Sequence, residues 1–275
     1  MTLSLSPTDL TTLQGQLRLS VLGLYKQANA GHIGCSLSCI DLMMATLVLR
    51  KREADTFLLS KGHAAAALYA CLHHLGDIDD TELASYYKNG TTLPAHPAPN
   101  QHAGIPFATG SLGHGLPIGT GIAKANKLGV GDGPADAGRV FVLMSDGETN
   151  EGTTWEALHF ALQHQLDNLI VLIDKNGLQG FDRTENVLGD TAAPAVWNAV
   201  GLDVVEVDGH NVADLLTTVD RLLHQKNGRP KVLIAHTVKG KGVSYMEDRL
   251  EWHYLPMNDA QYGQATADVR QRYGL

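Results

Sequence analysis

The chain has 275 residues, 44% of them hydrophobic and 18% charged, with a formal net charge of -8. That supplies one large α/β core at the upper end of the usual domain size, and the acidic balance, with no basic patch, speaks against nucleic acid or an anionic membrane as partner. No apolar run approaches the length that crosses a bilayer and Met1–Pro7 lacks the basic start of a targeting signal, so a cytoplasmic protein is expected.

In chain order, Asp9 to Ala30 predicts a first helix, with Leu10, Leu13, Leu17, Val21, Leu24 and Ala28 on one face and a stop at Gly31. Ser38 to Leu49 and His63 to Leu75 read as further helices, with Thr56–Leu59 a short strand between them. Tyr87 to Phe107, rich in Pro, Asn, Gly and His, reads as a long ordered loop, a kind of segment that is usually functional in compact domains. Gly113 to Leu128 reads as a helix whose Gly115, Gly119 and Gly121 lower its propensity and so point to close packing. Val130 to Gly138 has no periodicity and reads as an exposed connection.

Val140–Ser145 and Leu169–Asp174 are short, β-branched apolar runs that predict buried parallel strands, with a helix from Glu151 to Gln165 between them. Phe181 to Pro194 reads as irregular, Val204–Val207 as a strand, Val212 to Leu223 as a helix and Lys231–His236 as a last strand. No repeat or low-complexity segment interrupts this alternation. Strand alternating with helix predicts an α/β fold, a doubly wound parallel sheet with helices on both faces.

The strand–loop–helix–strand unit delivers Asp146-Gly147 and Asn176 to one sheet edge, at the carboxyl ends of the strands where such folds bind ligands. A carboxylate oxygen from Asp146, an amide oxygen from Asn176 and the backbone carbonyl of Leu178 form a hard oxygen set. It suits magnesium, or calcium or manganese in its place, bridging to a diphosphate. Gly147 lets the main chain approach a phosphate, and the helix that follows points free amides at it.

Thirteen histidines are unusual. His73, His74, His159, His164 and His224 sit on helical patterns and read as surface groups. His32, His63, His96 and His253 lie beside small or turn residues that leave the ring accessible for proton exchange near neutral pH. Cys35, Cys39 and Cys71 are odd in number and read as reduced, buried thiols.

The stretch SDGETNEGTTWEALHFALQHQLDNLIVLIDKNGLQ from Ser145 resembles the thiamine diphosphate motif of the transketolase family. ANAGHIGCSLS from Ala28, SKGHAAAALY from Ser60, PAHP from Pro94, TGSLGHGLPIGTGIAKA from Thr109 and HTVKGKGVSYMEDRLEWH from His236 resemble that family's other blocks, in its order. The resemblance implies a transfer of a two-carbon ketol unit from a ketose, or ketose phosphate, to an aldose acceptor. Thiamine diphosphate would be the electron sink and magnesium the metal.

It further implies catalytic roles for His32, His253, His96 and Glu151. Cofactor contacts would come from His63, His253, Gly110, Ser111, Leu112, Asp146, Gly147, Glu148 and Asn176, and metal ligands from Asp146, Asn176 and Leu178. Glu151 and Glu156 match the family's buried carboxylates, with Glu151 preferred; exposed acids complementing a helix dipole are the ordinary reading of both. Lys175 reads as solvated.

The family's pyrimidine-binding and carboxyl-terminal domains have no counterpart here. Residues 1–275 therefore read as a single diphosphate-binding domain, the amino-terminal subunit of a split transketolase. It would need a second chain carrying the pyrimidine-binding domain, in an assembly of two such chains with two partners. Ser145, Ile33, Ser111, His114 and Tyr254 depart from the family pattern, and Ile33, His114 and Tyr254 put the usual pentose phosphate substrates in doubt. The neighbouring readings are a deoxyxylulose phosphate synthase-like or ketoacid dehydrogenase-like subunit, and a non-catalytic cofactor-binding partner. A Rossmann-like nucleotide binder would carry a Gly-rich loop after its first strand, which this chain lacks.

Overall fold

The computed structural model describes residues 5–99, 102, 104–130 and 138–275. Most of the connection expected at Val130 to Gly138, part of the Tyr87–Phe107 loop and the first four residues lie outside these. Helix α1 (Pro7–Ala28) opens with a reciprocal cap between Ser6 and Asp9, with Pro7 in the first turn, and closes on Asn29 at φ 48°. Helix α2 (Ile33–Met43) starts at Ile33 rather than Ser38, because His32 takes a left-handed backbone at φ 71° and lets the chain turn straight into the helix. It runs on as a π-turn over Met44–Val48, where the Thr46 hydroxyl donates to the Leu42 carbonyl at 2.7 Å.

Strand β1 (Thr56–Leu59) leads through a tight turn to α3 (Ala65–His74), the single turn α4 (Asp80–Leu83) and, after a long loop, α5 (Gly115–Leu128). Then come β2 (Val140–Ser145), α6 (Gly152–Gln163) and β3 (Leu169–Lys175). The stretch read as irregular contains the short α7 (Thr184–Leu188) and leads into α8 (Pro194–Ala199), followed by β4 (Asp203–Asp208), α9 (Val212–His224) and β5 (Lys231–His236). Helix α10 (Asp259–Tyr273) was not foreseen, because its buried face is only the narrow stripe Ala265, Val269 and Tyr273 in an otherwise polar segment.

Among the described residues the strands form one parallel sheet in the order β1-β2-β3-β5-β4. Alternate residues feed opposite cores, as a strand's period of two requires. Phe141, Leu143, Ile170 and Leu172 join the core under α1, α2, α3 and α9, whereas Val140, Val142, Leu169 and Val171 join the core under α5, α6 and α8. The sheet is doubly wound, with helices on both faces. Among the described residues no helix is long and apolar enough to cross a membrane.

The glycines of α5 divide by what surrounds them. A Cβ on Gly115 would lie 2.3 Å from Ser60 Oγ and one on Gly119 2.5 Å from a Val142 methyl, but one on Gly121 would meet open space. Gly119→Ala is therefore expected to destabilise the chain by about 1–3 kcal/mol. Gly121→Ala should stabilise it by up to about 1 kcal/mol through propensity. Urea unfolding of both variants checks this, and shifts of the same sign would count against the packing assigned to α5.

Candidate functional site

Strands β2 and β3 lie side by side with Ser145 opposite Asp174, so the residues just beyond them share one edge. Asp146 is buried there; its Oδ1 accepts the Gly147 amide at 2.9 Å, and its Oδ2 accepts the Gly177 amide at 2.8 Å and the Thr184 hydroxyl at 2.9 Å. Burial, and then the charge of Asp174, push its carboxyl up to about 6. Asn176 donates its amide to Asp174 Oδ2 at 3.2 Å and accepts the Leu178 amide at 3.1 Å. Gly177 holds the turn between them at φ 74°.

Beneath this edge lies a buried ion pair that sequence reading missed. Lys61 and Asp174 are both inaccessible and joined directly, and Asp174 also accepts from Ser38 at 2.6 Å and from Thr237. Burial works against the Asp174 charge, but Lys61, Ser38 and Thr237 hold its pKa below the usual value. Asp174 thereby orients Asn176. A second buried ammonium, Lys239, donates to the carbonyls of Leu178 at 3.0 Å and Gln179 at 3.3 Å and to His253 Nδ1 at 2.9 Å.

A cavity of about 260 Å³ opens over the edge, lined by Asp146, Gly147, Asn176, Leu178, Gly110, Leu112 and the rings of His32, His63, His96 and His253. A second cavity of about 350 Å³ shares those four rings and Tyr254 and adds Tyr25, Tyr86 and Tyr87. The His32 ring centroid is 5.5 Å from that of His63, 6.0 Å from that of His96 and 5.0 Å from that of His253. The His32 amide donates to the His253 carbonyl at 2.9 Å, tying two blocks that are far apart in sequence.

Burial, followed by neighbouring histidines or lysines, lowers His32 to about 4 and His253 to about 3. Burial likewise takes His63 to about 4 and lowers His96. The rings are therefore neutral at pH 7, each with one donor and one acceptor nitrogen. Cys35, expected only to pack, also lines the first cavity, 3.5 Å from His253 Nδ1. Burial would raise its thiol, but Lys239, His63 and Lys61 bring it down to about 6. Helical spacing alone carried no sign of this.

Three expected site residues lie elsewhere. Glu148 is fully buried behind the cavity wall and accepts from Ser60 at 2.5 Å, Gly113 at 3.0 Å and Ser145 at 3.0 Å, so it braces the loop bearing Gly110 and Leu112 and lines neither cavity. Ser111 is exposed beside that loop and lines neither cavity. Glu151 is exposed at the start of α6, away from both cavities, and Glu156 is exposed as well. Lys175 pairs with Asp190 at 2.7 Å.

The site fits a diphosphate with a hard cation. Among the described residues no group of three or more His, Cys, Asp or Glu could hold a metal alone. The protein therefore offers one carboxylate, one amide oxygen and one carbonyl, leaving positions for phosphate and water oxygens. On the walls, His32 Nδ1 and Gln179 Nε2 are buried without partners in the protein, ready for ligand atoms.

A parallel α/β sheet whose neighbouring strand ends carry this donor set beneath a cluster of neutral histidines defines a diphosphate- and cation-binding domain of the thiamine diphosphate kind. Residues 11–275 match the family model described as transketolase, thiamine diphosphate binding domain, and the chain belongs to that family. It is 37% identical over 264 residues to an apulose-4-phosphate transketolase subunit from Phocaeicola vulgatus, covering 93% of this chain and 92% of that one. It is 30% identical to a 6-deoxy-6-sulfo-D-fructose transketolase subunit from a Clostridium species, covering 96% and 97%.

A transketolase structure from Pichia stipitis superposes with a TM-score of 0.86 at 26% identity over 98% of this chain but only 41% of its own. The chain thus spans nearly the full length of the subunit relatives and less than half of the whole transketolase. The relatives' names as subunits imply a partner chain.

Proposed function

We propose that this chain is the thiamine diphosphate- and magnesium-binding subunit of a two-chain transketolase, and that it moves a two-carbon ketol unit between a ketose and an aldehyde in the cytoplasm. The observation that carries the reading is the pairing of Asp146 and Asn176 at adjacent strand ends with four neutral histidine rings above them. Asp146, Asn176 and the Leu178 carbonyl would hold the cation, and Gly147 would admit the diphosphate. Bound thiamine diphosphate supplies an electron sink for carbon–carbon cleavage.

The chain's own residues do the remaining work. Gly110 and Leu112 flank the cavity on the loop that Glu148 braces, where they would meet the aminopyrimidine ring. Lys239 donates to His253 Nδ1, so neutral His253 carries its proton on Nε2 and can give it to a substrate oxygen. The His32 ring lines the first cavity and would exchange a proton with a second oxygen. His63 and His96 complete a wall that excludes water.

The described residues lining the two cavities include no Lys or Arg, which supports a substrate phosphate or sulfonate being read by the partner chain. Glu151, exposed on α6, fits an interface between paired subunits, and an assembly of two such chains with two pyrimidine-domain partners has the closed symmetry such enzymes favour. The purified chain alone should show no ketol transfer, and adding the partner should restore it, measured on several ketoses alongside native mass. Full activity from the single chain would overturn the two-chain reading.

A further inference from the structure

A buried polar cluster outside the cavities connects α1, α2, the turn after β4 and the segment after β5. Arg18 on α1 and Asp41 on α2 are inaccessible and form a two-pronged pair at 2.7 and 2.6 Å. Gln14 donates to Asp41 Oδ1 at 3.0 Å. The remaining Asp41 bond goes to His210 Nδ1 at 2.8 Å, from the turn after β4. The other ring nitrogen, Nε2, accepts the Val238 amide at 2.8 Å. A backbone amide can only donate, so Nε2 is the unprotonated nitrogen and Nδ1 carries the proton that Asp41 accepts.

This ring therefore ties a buried carboxylate to the chain just as it leaves β5. One residue further on is Lys239, whose ammonium holds the Leu178 carbonyl and His253 Nδ1. Arg18 grips the same segment from the other side, donating Nε to the Lys241 carbonyl at 3.2 Å. We propose that His210, fixed by Asp41, is a positioning residue that sets the Val238–Lys239 segment and, through Lys239, the Leu178 carbonyl and the His253 tautomer on which cation and substrate binding depend.

The inference rests on the cofactor reading above and concerns residues that touch neither cavity. Removing the ring in His210→Ala leaves Asp41 paired with Arg18 and Gln14, so the fold should survive, but it frees the Val238 amide. His210→Gln, one methylene longer than Asn, places its carboxamide oxygen at about the reach of ring Nε2, where it can accept from Val238.

The test is calorimetric titration of thiamine diphosphate with magnesium into the chain assembled with its partner, together with amide hydrogen exchange over residues 237–242. In His210→Ala the affinity should fall by up to roughly 10-fold, the low end of the range for direct partners of a metal ligand, because the ring acts on Leu178 only through Lys239, and exchange at Val238 should accelerate. His210→Gln should recover most of both, and turnover of the cofactor-saturated Ala variant should also fall as the His253 tautomer is released. Wild-type affinity and wild-type turnover in His210→Ala, or loss equal in the Ala and Gln variants, would overturn the positioning role. Failure of the unaltered assembly to bind the cofactor would overturn the cofactor reading and this inference with it.

Discussion

Asp146→Asn is expected to abolish magnesium-dependent retention of thiamine diphosphate while the chain stays folded. The amide oxygen can still accept from Gly177 and Thr184, so the turn keeps those two bonds and gives up the one from Gly147, but the site loses its one anionic ligand. The loss of affinity should exceed the roughly 100-fold that outer partners of a metal ligand cost, read by calorimetry at pH 7. The carboxyl, pushed up to about 6 in the cation-free protein, binds a proton more tightly than in the unfolded chain, where it sits near 3.8.

Its own contribution to the stability of the cation-free fold is therefore present below pH 3.8 and lost as pH rises through 6. Cation binding works in the opposite direction, because it requires the ionised form and displaces that proton. Affinity in the unaltered protein should weaken as pH falls below about 6. Unchanged affinity in the variant would sink the metal assignment.

Lys61→Met should give the largest loss of stability, about 3–5 kcal/mol, because it strands the Asp174 carboxylate in an inaccessible site. Ser38, Thr237 and Asn176 would still donate to that carboxylate, but none carries a charge. The urea midpoint should fall with an unchanged slope. Pairing it with Asp174→Leu should recover much of the stability, since replacing both members of a buried ion pair by apolar groups is often neutral. The double variant should nevertheless bind cofactor poorly, because Asn176 loses the acceptor that orients its amide. A midpoint within the error of the unaltered protein for Lys61→Met would show that the pair contributes little.

Both experiments address layers of the site that were unequally legible. Asp146, Gly147 and Asn176 were readable because each stands at the end of an apolar run, and in a parallel sheet those ends share an edge. The histidines were set apart by the small and turn residues beside them and by the family resemblance of their blocks; nothing local to His32, His63, His96 or His253 says that their rings meet. Glu148 shows the converse, a carboxylate inside the motif whose oxygens are consumed by Ser60, Gly113 and Ser145.

The sequence by itself determined the parallel sheet with helices on both faces and the placing of Asp146 and Asn176 at neighbouring strand ends, because hydrophobic period and strand ends are local properties that survive without knowledge of the fold. Only the tertiary structure decided which distant polar groups are buried together: Lys61 with Asp174, Arg18 with Asp41 and His210, and Lys239 with His253 and Leu178. A buried charge costs too much to stand alone. Its partner is chosen by the topology that brings two chain segments into contact, and no spacing along the chain records that choice.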